Sequence, residues 1–138
     1  MEYQRVYASI DLDAIEHNIA LVREKIPDGT ALMLVIKADA YGHGAVPIAK
    51  AFEMSADYFG VAEMNEALEL RRAGIRTPIL ILGYTSPNLF EVALENEITL
   101  TMFQYDAIKT LSETAVRLQK TASVHFGVDT GRQKGLPA

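Results

Sequence analysis

An α/β fold of alternating strands and helices follows from three features of the sequence. Apolar runs of strand length recur along the chain. Stretches with apolar residues at helical spacing separate them, through short connections. The strand runs are continuously apolar rather than alternating, the pattern of parallel strands covered on both faces. Two architectures fit: an open doubly wound sheet, or part of a (β/α)8 barrel.

Each element has its own reason. Val6 to Leu12 alternates apolar and polar residues and predicts a short first strand. Asp13 is placed to cap a helix running to about Lys25, with Ile15, Ile19, Val22 and Ile26 on one face. Pro27, Asp28 and Gly29 stop it. Leu32 to Ile36 predicts an apolar strand, and Val46 to Met54 a helix. Tyr58 to Ala62 is a strand, and Asn65 to Ala73 a helix closed by Gly74. Pro78 to Leu82 is a strand ended by Gly83, followed by a helix over Pro87 to Glu95. Ile98 to Met102 is a strand. Tyr105 to Leu118 aligns Ile108, Leu111, Ala115 and Leu118 on one helical face, and Ser123 to Val128 is the last strand.

The totals narrow the function. The chain has 138 residues, enough for one domain with a real core. Its net charge of -5 argues against a nucleic-acid or membrane-surface partner, which would want clustered Lys and Arg. With no cysteine, disulfides and thiolate metal sites are excluded, and a reducing, cytoplasmic setting fits. No apolar run reaches the ~18 residues of a membrane span. His17, His43 and His125 show no metal-ligand spacing, so no metal is expected. The glycines of YGHG lack dinucleotide-loop spacing, and a Walker lysine would follow its glycines rather than precede them.

Lys37 stands out. It ends an apolar strand, and in a βα architecture the loops after the strand C-termini build the active face. Desolvation beside apolar neighbours favours its neutral amine, a nucleophile able to form a Schiff base with an aldehyde such as pyridoxal phosphate. The loop ADAYGHG behind it is small enough to pass close to a bound cofactor. By strand position alone, an ordinary lysine extending its ammonium to water is the favoured explanation of the residue.

The identities around Lys37 go further. VIKADAYGHGA, Val35 to Ala45, resembles the pyridoxal-phosphate lysine motif of alanine racemases: a lysine followed by Ala-Asp/Asn-Ala-Tyr-Gly-His-Gly. ASIDLDAIEHN, FGVAEMNEALELRRAGI, TPILILG and VHFGVDTG resemble further segments of that family, in the same order. The resemblance implies a TIM-type (β/α)8 barrel, here truncated to about half a barrel. Residues 1–138 would be the N-terminal portion of the cofactor-binding barrel domain, with the family's C-terminal β domain absent. It implies a pyridoxal 5'-phosphate enzyme that interconverts L- and D-alanine, a small amino-acid substrate, for peptidoglycan. It also implies a homodimer with a shared active site.

By the same resemblance Lys37 would carry the cofactor and act as one of two acid–base groups. Tyr41 would lie near the cofactor and its phosphate, and Leu82 would line the cofactor pocket. The second base would be a tyrosine outside this sequence. Two positions depart from the pattern. Gly127 stands where the family has lysine or asparagine. After Asp129-Thr130-Gly131 the family continues Met-x-Arg-x-Gly, whereas this chain reads Arg132-Gln133-Lys134-Gly135. Arg132 is then the candidate guanidinium for the substrate carboxylate. The competing expectations are a racemase of different amino-acid specificity, and an inactive fragment or associating half barrel.

Overall fold

The computed structural model describes residues 6–128. Five strands form one parallel sheet: β1 (Met33–Val35), β2 (Tyr58–Val61), β3 (Ile79–Ile81), β4 (Ile98–Met102) and β5 (Val124–Phe126). The helices are α1 (Leu12–Lys25), α2 (Ala45–Phe52), α3 (Met64–Arg72), α4 (Phe90–Glu95) and α5 (Tyr105–Leu118). A 3-10 turn over Pro87–Leu89 leads into α4.

The strand order decides between the two architectures. The strands lie side by side in chain order, β1 through β5. A doubly wound sheet reverses direction at a switch point, and this sheet does not. Right-handed crossovers that all advance the same way place every connecting helix on one face. That is the barrel arrangement.

The packing follows from it. Phe59, Val61, Ile79, Ile81, Ile98, Leu100 and Met102 alternate toward the helices and join their buried residues in one core. From α2 come Ala45, Ile48, Ala49 and Phe52; from α3, Met64, Ala67 and Leu70. The register aligns Val35, Gly60, Leu80 and Thr99 across the sheet, outside that helix-packed core. Apolar residues fill both sides, which explains why the strands read as unbroken runs.

Helix ends obey local rules. Gly74, at φ +90°, closes α3: its N–H reaches the Arg71 carbonyl and that of Ile75 the Leu70 carbonyl. At the N-terminal end of the sheet the Asp57 carboxylate accepts from the Leu32 N–H and from Arg23 on α1, both at 2.6 Å. These contacts hold its carboxyl below the usual carboxylate range, the Leu32 N–H foremost.

Two expectations are corrected. Residues 6–11 form no strand. Val6 and Tyr7 are 86% and 81% exposed, and alternation alone supplies no neighbouring strand to pair with. The cap of α1 is Asp11, not Asp13: Asp11 Oδ1 accepts from the Ala14 N–H at 3.1 Å, and Asp13 sits in the first turn. Either aspartate offers the chemistry, and the backbone direction entering the helix selects the earlier one.

Candidate active site

Because the strands are parallel, their C-terminal ends share one rim. Lys37 follows β1 there, Ala62 follows β2, Leu82 follows β3 and Gly127 follows β5. The sheet ladder continues past the assigned strands to hold these positions. The Ile36 N–H donates to Gly60 O (2.8 Å), that of Leu82 to Val61 O (2.8 Å) and that of Gly127 to Met102 O (2.9 Å). Lys37 is half-buried.

Below the rim the sheet is closely packed. A Cβ on Gly60 would lie 2.9 Å from Met33 Sδ and 3.3 Å from both Leu82 Cδ1 and Val35 Cγ2. Leu82 therefore reaches across β2 toward β1, the strand that ends at Lys37. A Cβ on Gly83 would lie 2.5 Å from the Ala62 carbonyl oxygen, so only glycine lets the chain leave β3 this close to its neighbour.

The segment after Lys37, expected as a plain loop, is a left-handed helical turn. Ala38, Asp39, Ala40 and Tyr41 hold φ of 51–55° and ψ of 36–52°. For L-residues this costs about 1–2 kcal/mol each, because Cβ crowds the following carbonyl. Alanine at two of the four positions keeps the side chains there small. The tertiary structure over-determines the rest, as strained functional backbone requires. The Ala40 N–H donates to Ile36 O and that of Gly44 to Asp39 O, both at 2.9 Å. Asp39 Oδ1 accepts from the Ala45 N–H at 2.7 Å, at the start of α2. His43 Nδ1 lies 2.9 Å from Ala40 O, which fixes that ring as part of the turn. At the front, Glu66 Oε1 accepts from the Ala38 N–H at 2.7 Å.

This bonding explains why the motif accepts aspartate or asparagine at its third position: both present a carbonyl-type Oδ1. Asp39→Asn is expected to leave stability nearly unchanged, whereas Asp39→Ala costs about 1–2 kcal/mol. Urea denaturation of the two variants checks this, and equal losses would contradict it.

The positions singled out in the sequence fall as follows. Lys37 and Leu82 stand on the rim after β1 and β3, with β2 between them. Tyr41 lies on the left-handed turn, 61% exposed. Arg132 lies outside the described residues. Gly127 is half-buried, and a Cβ there would sit 3.4 Å from Thr101 Cγ2 and 3.7 Å from Phe103 Cβ. The sequence reading missed Asp39 and Glu66. The only signal for Glu66 was an acidic residue on α3 between the apolar positions Met64 and Ala67.

Five parallel strands in chain order, with a lysine at the C-terminal rim of the first and a strained turn directly after it, define a (β/α) barrel-type protein. The chain belongs to the family described as "Alanine racemase, N-terminal domain", whose model matches residues 10–137. It is 46% identical over 127 residues to the alanine racemase of Desulforamulus reducens, covering 91% of this chain and 34% of that protein. The solved alanine racemase of Clostridium difficile 630 superposes with a TM-score of 0.80 at 41% identity, over 83% of this chain and 31% of its own. The histidine racemase of Leuconostoc mesenteroides subsp. sake superposes with a TM-score of 0.72 at 32% identity, over 81% of this chain and 30% of its own. The chain thus spans about a third of the length of the relatives it matches.

Proposed function

We propose that this chain is the cofactor-carrying part of a pyridoxal-phosphate-dependent alanine racemase. The observation that carries the reading is the half-buried residue Lys37 at the barrel rim, followed by the left-handed turn. The groups present suit that cofactor. Lys37 Nζ would be the amine that holds its aldehyde carbon, Tyr41 would offer a hydroxyl to its phosphate, and Leu82 would offer an apolar surface to its ring. When bound, the cofactor supplies the electron sink that lowers the cost of removing the substrate α-proton. Lys37 Nζ holds and returns a proton on one face of the α-carbon. Inversion needs a second acid–base group on the opposite face, in this reading a tyrosine from the partner subunit of a homodimer. Arg132 is the proposed partner of the substrate carboxylate.

In the same reading these residues are the N-terminal portion of the barrel domain. The protein works in the cytoplasm and supplies D-alanine for peptidoglycan. Among the described residues no helix is long and apolar enough to cross a membrane.

The test is covalent. The chain is incubated with pyridoxal phosphate, reduced with borohydride and mapped by mass spectrometry. The adduct is expected on Lys37 in preference to the exposed Lys50 and Lys109. An adduct spread over the lysines without preference overturns the reading. A second reading, a racemase of another amino acid, is favoured by the likeness to the histidine racemase. Faster turnover of histidine than alanine by the protein carrying this sequence would install it.

A further inference from the structure

Glu66 is the most unusual carboxylate near the rim. It occupies the third position of α3 and is half-buried. An acidic residue there normally turns back to the N–H of the capping residue, here Glu63. Glu66 instead divides its two oxygens between two strand ends. Oε2 accepts from the Ala62 N–H at 2.6 Å, directly after β2, and Oε1 accepts from the Ala38 N–H at 2.7 Å, directly after Lys37. Both are short, charge-assisted bonds.

The position of the second bond matters most. Ala38 is the first of the left-handed residues, and its N–H belongs to the peptide that joins it to Lys37. A carboxylate on this N–H fixes the peptide plane on one side of Lys37. On the other side of Lys37, the carbonyl of the peptide joining Ile36 to Lys37 accepts from the Ala40 N–H at 2.9 Å. Without the clamp only the bonds further along the turn oppose the preference of Ala38 for right-handed or extended backbone. The lysine would then swing with the peptide.

We propose that Glu66 is a positioning residue for Lys37: it holds the strained turn and so sets where the amine meets the cofactor aldehyde. This rests on the reading of Lys37 as the cofactor lysine.

Glu66→Gln is the informative variant. It keeps the shape and one oxygen, but turns an NH2 group toward one of the two backbone N–H donors. The full 138-residue chain is compared with this variant by two measurements, after far-UV circular dichroism has established folding. The first is amide hydrogen exchange at Ala38, expected to quicken ~10-fold or more as the turn opens locally. The second is the rate of pyridoxal-phosphate attachment at Lys37, trapped with borohydride and referred to Lys109 in the same sample. It is expected to fall ~10-fold or more, since small misplacements of reacting groups carry large rate losses. Unchanged Ala38 protection overturns the clamp. Faster exchange with unchanged attachment makes Glu66 merely structural and overturns the positioning role, as does loss of folding in Glu66→Gln. Absence of preferential attachment at Lys37 in the unmodified chain is a different failure, that of the functional reading itself.

Discussion

Alanine racemisation, the activity proposed for the protein carrying this sequence, should fall by at least about 10³-fold in Lys37→Ala, because in that proposal one residue serves two chemical roles. Its Nζ would be both the nucleophile for the cofactor aldehyde and the proton carrier on one face of the α-carbon. Lys37→Arg should fail almost as completely. A guanidinium keeps its proton at any working pH and offers no lone pair for attack. Stability should change by less than about 1 kcal/mol, because Lys37 is only half-buried and the turn is held by backbone groups and by Asp39 and Glu66. The expected signature is therefore an unaltered melting transition beside lost racemisation, with partial recovery on adding a small primary amine. Polarimetry with each alanine enantiomer measures it. Racemisation by Lys37→Ala at the original rate would remove the residue from the mechanism.

The second large effect lies at the opposite end of the sheet. Arg71, on α3, donates to four backbone carbonyls: Asn96 through Nε at 3.0 Å, Ile75 and Thr77 through Nη1 at 2.9 Å each, and Glu97 through Nη2 at 3.1 Å. The first and last follow α4, and the other two precede β3. One planar fork thus ties two successive βα units together. Burial pushes the guanidinium below its ordinary value, opposed by the nearby Glu97 charge. It stays charged regardless. Arg71→Ala should cost roughly 3 kcal/mol. Bonds from a charged donor contribute about 1.5–3 kcal/mol each, but water entering the adjoining cleft of about 320 Å³ repairs part of the loss. Lysine cannot reproduce the fork, so Arg71→Lys should recover little. Equilibrium urea denaturation reads the change. Cofactor attachment at Lys37 should be untouched in whatever fraction remains folded. A loss below 1 kcal/mol would show that the carbonyls are served equally well by water.

The two sites differ in how readable they were. The rim position of Lys37 was legible because the lysine follows an apolar run of strand length, whereas its proposed role and that of Leu82 came only from the resemblance of the surrounding residues to a known family. The apolar face of α5 was legible from periodicity: Ile108, Leu111, Ala115 and Leu118 recur at helical spacing, and Leu111 and Ala115 are buried. Arg71 and Glu66 were not. Both lie on α3 among other charged residues, MNEALELRR, and nothing in that string says which charges turn inward. Their partners are backbone groups up to 28 residues away in the chain, and every residue type carries those groups. The sequence cannot distinguish them. The left-handed turn was hidden for a related reason. Ala-Asp-Ala-Tyr has no local preference for positive φ, so only bonds from elsewhere hold it there.

From the first helix onward, the order and kind of the elements other than the left-handed turn, the apolar face of α5 and the lysine after the apolar run at Leu32–Ile36 came from sequence alone. Each depends on hydrophobic periodicity, which is local and reads directly from residue type. Strand order was a tertiary outcome. Crossover direction is decided by how successive units pack, and it turned two admissible architectures into one. The strained turn behind Lys37, the carboxylate clamp at its front and the arginine fork at the far end were tertiary as well. Each pairs a side chain with backbone groups that become neighbours only after the chain has folded.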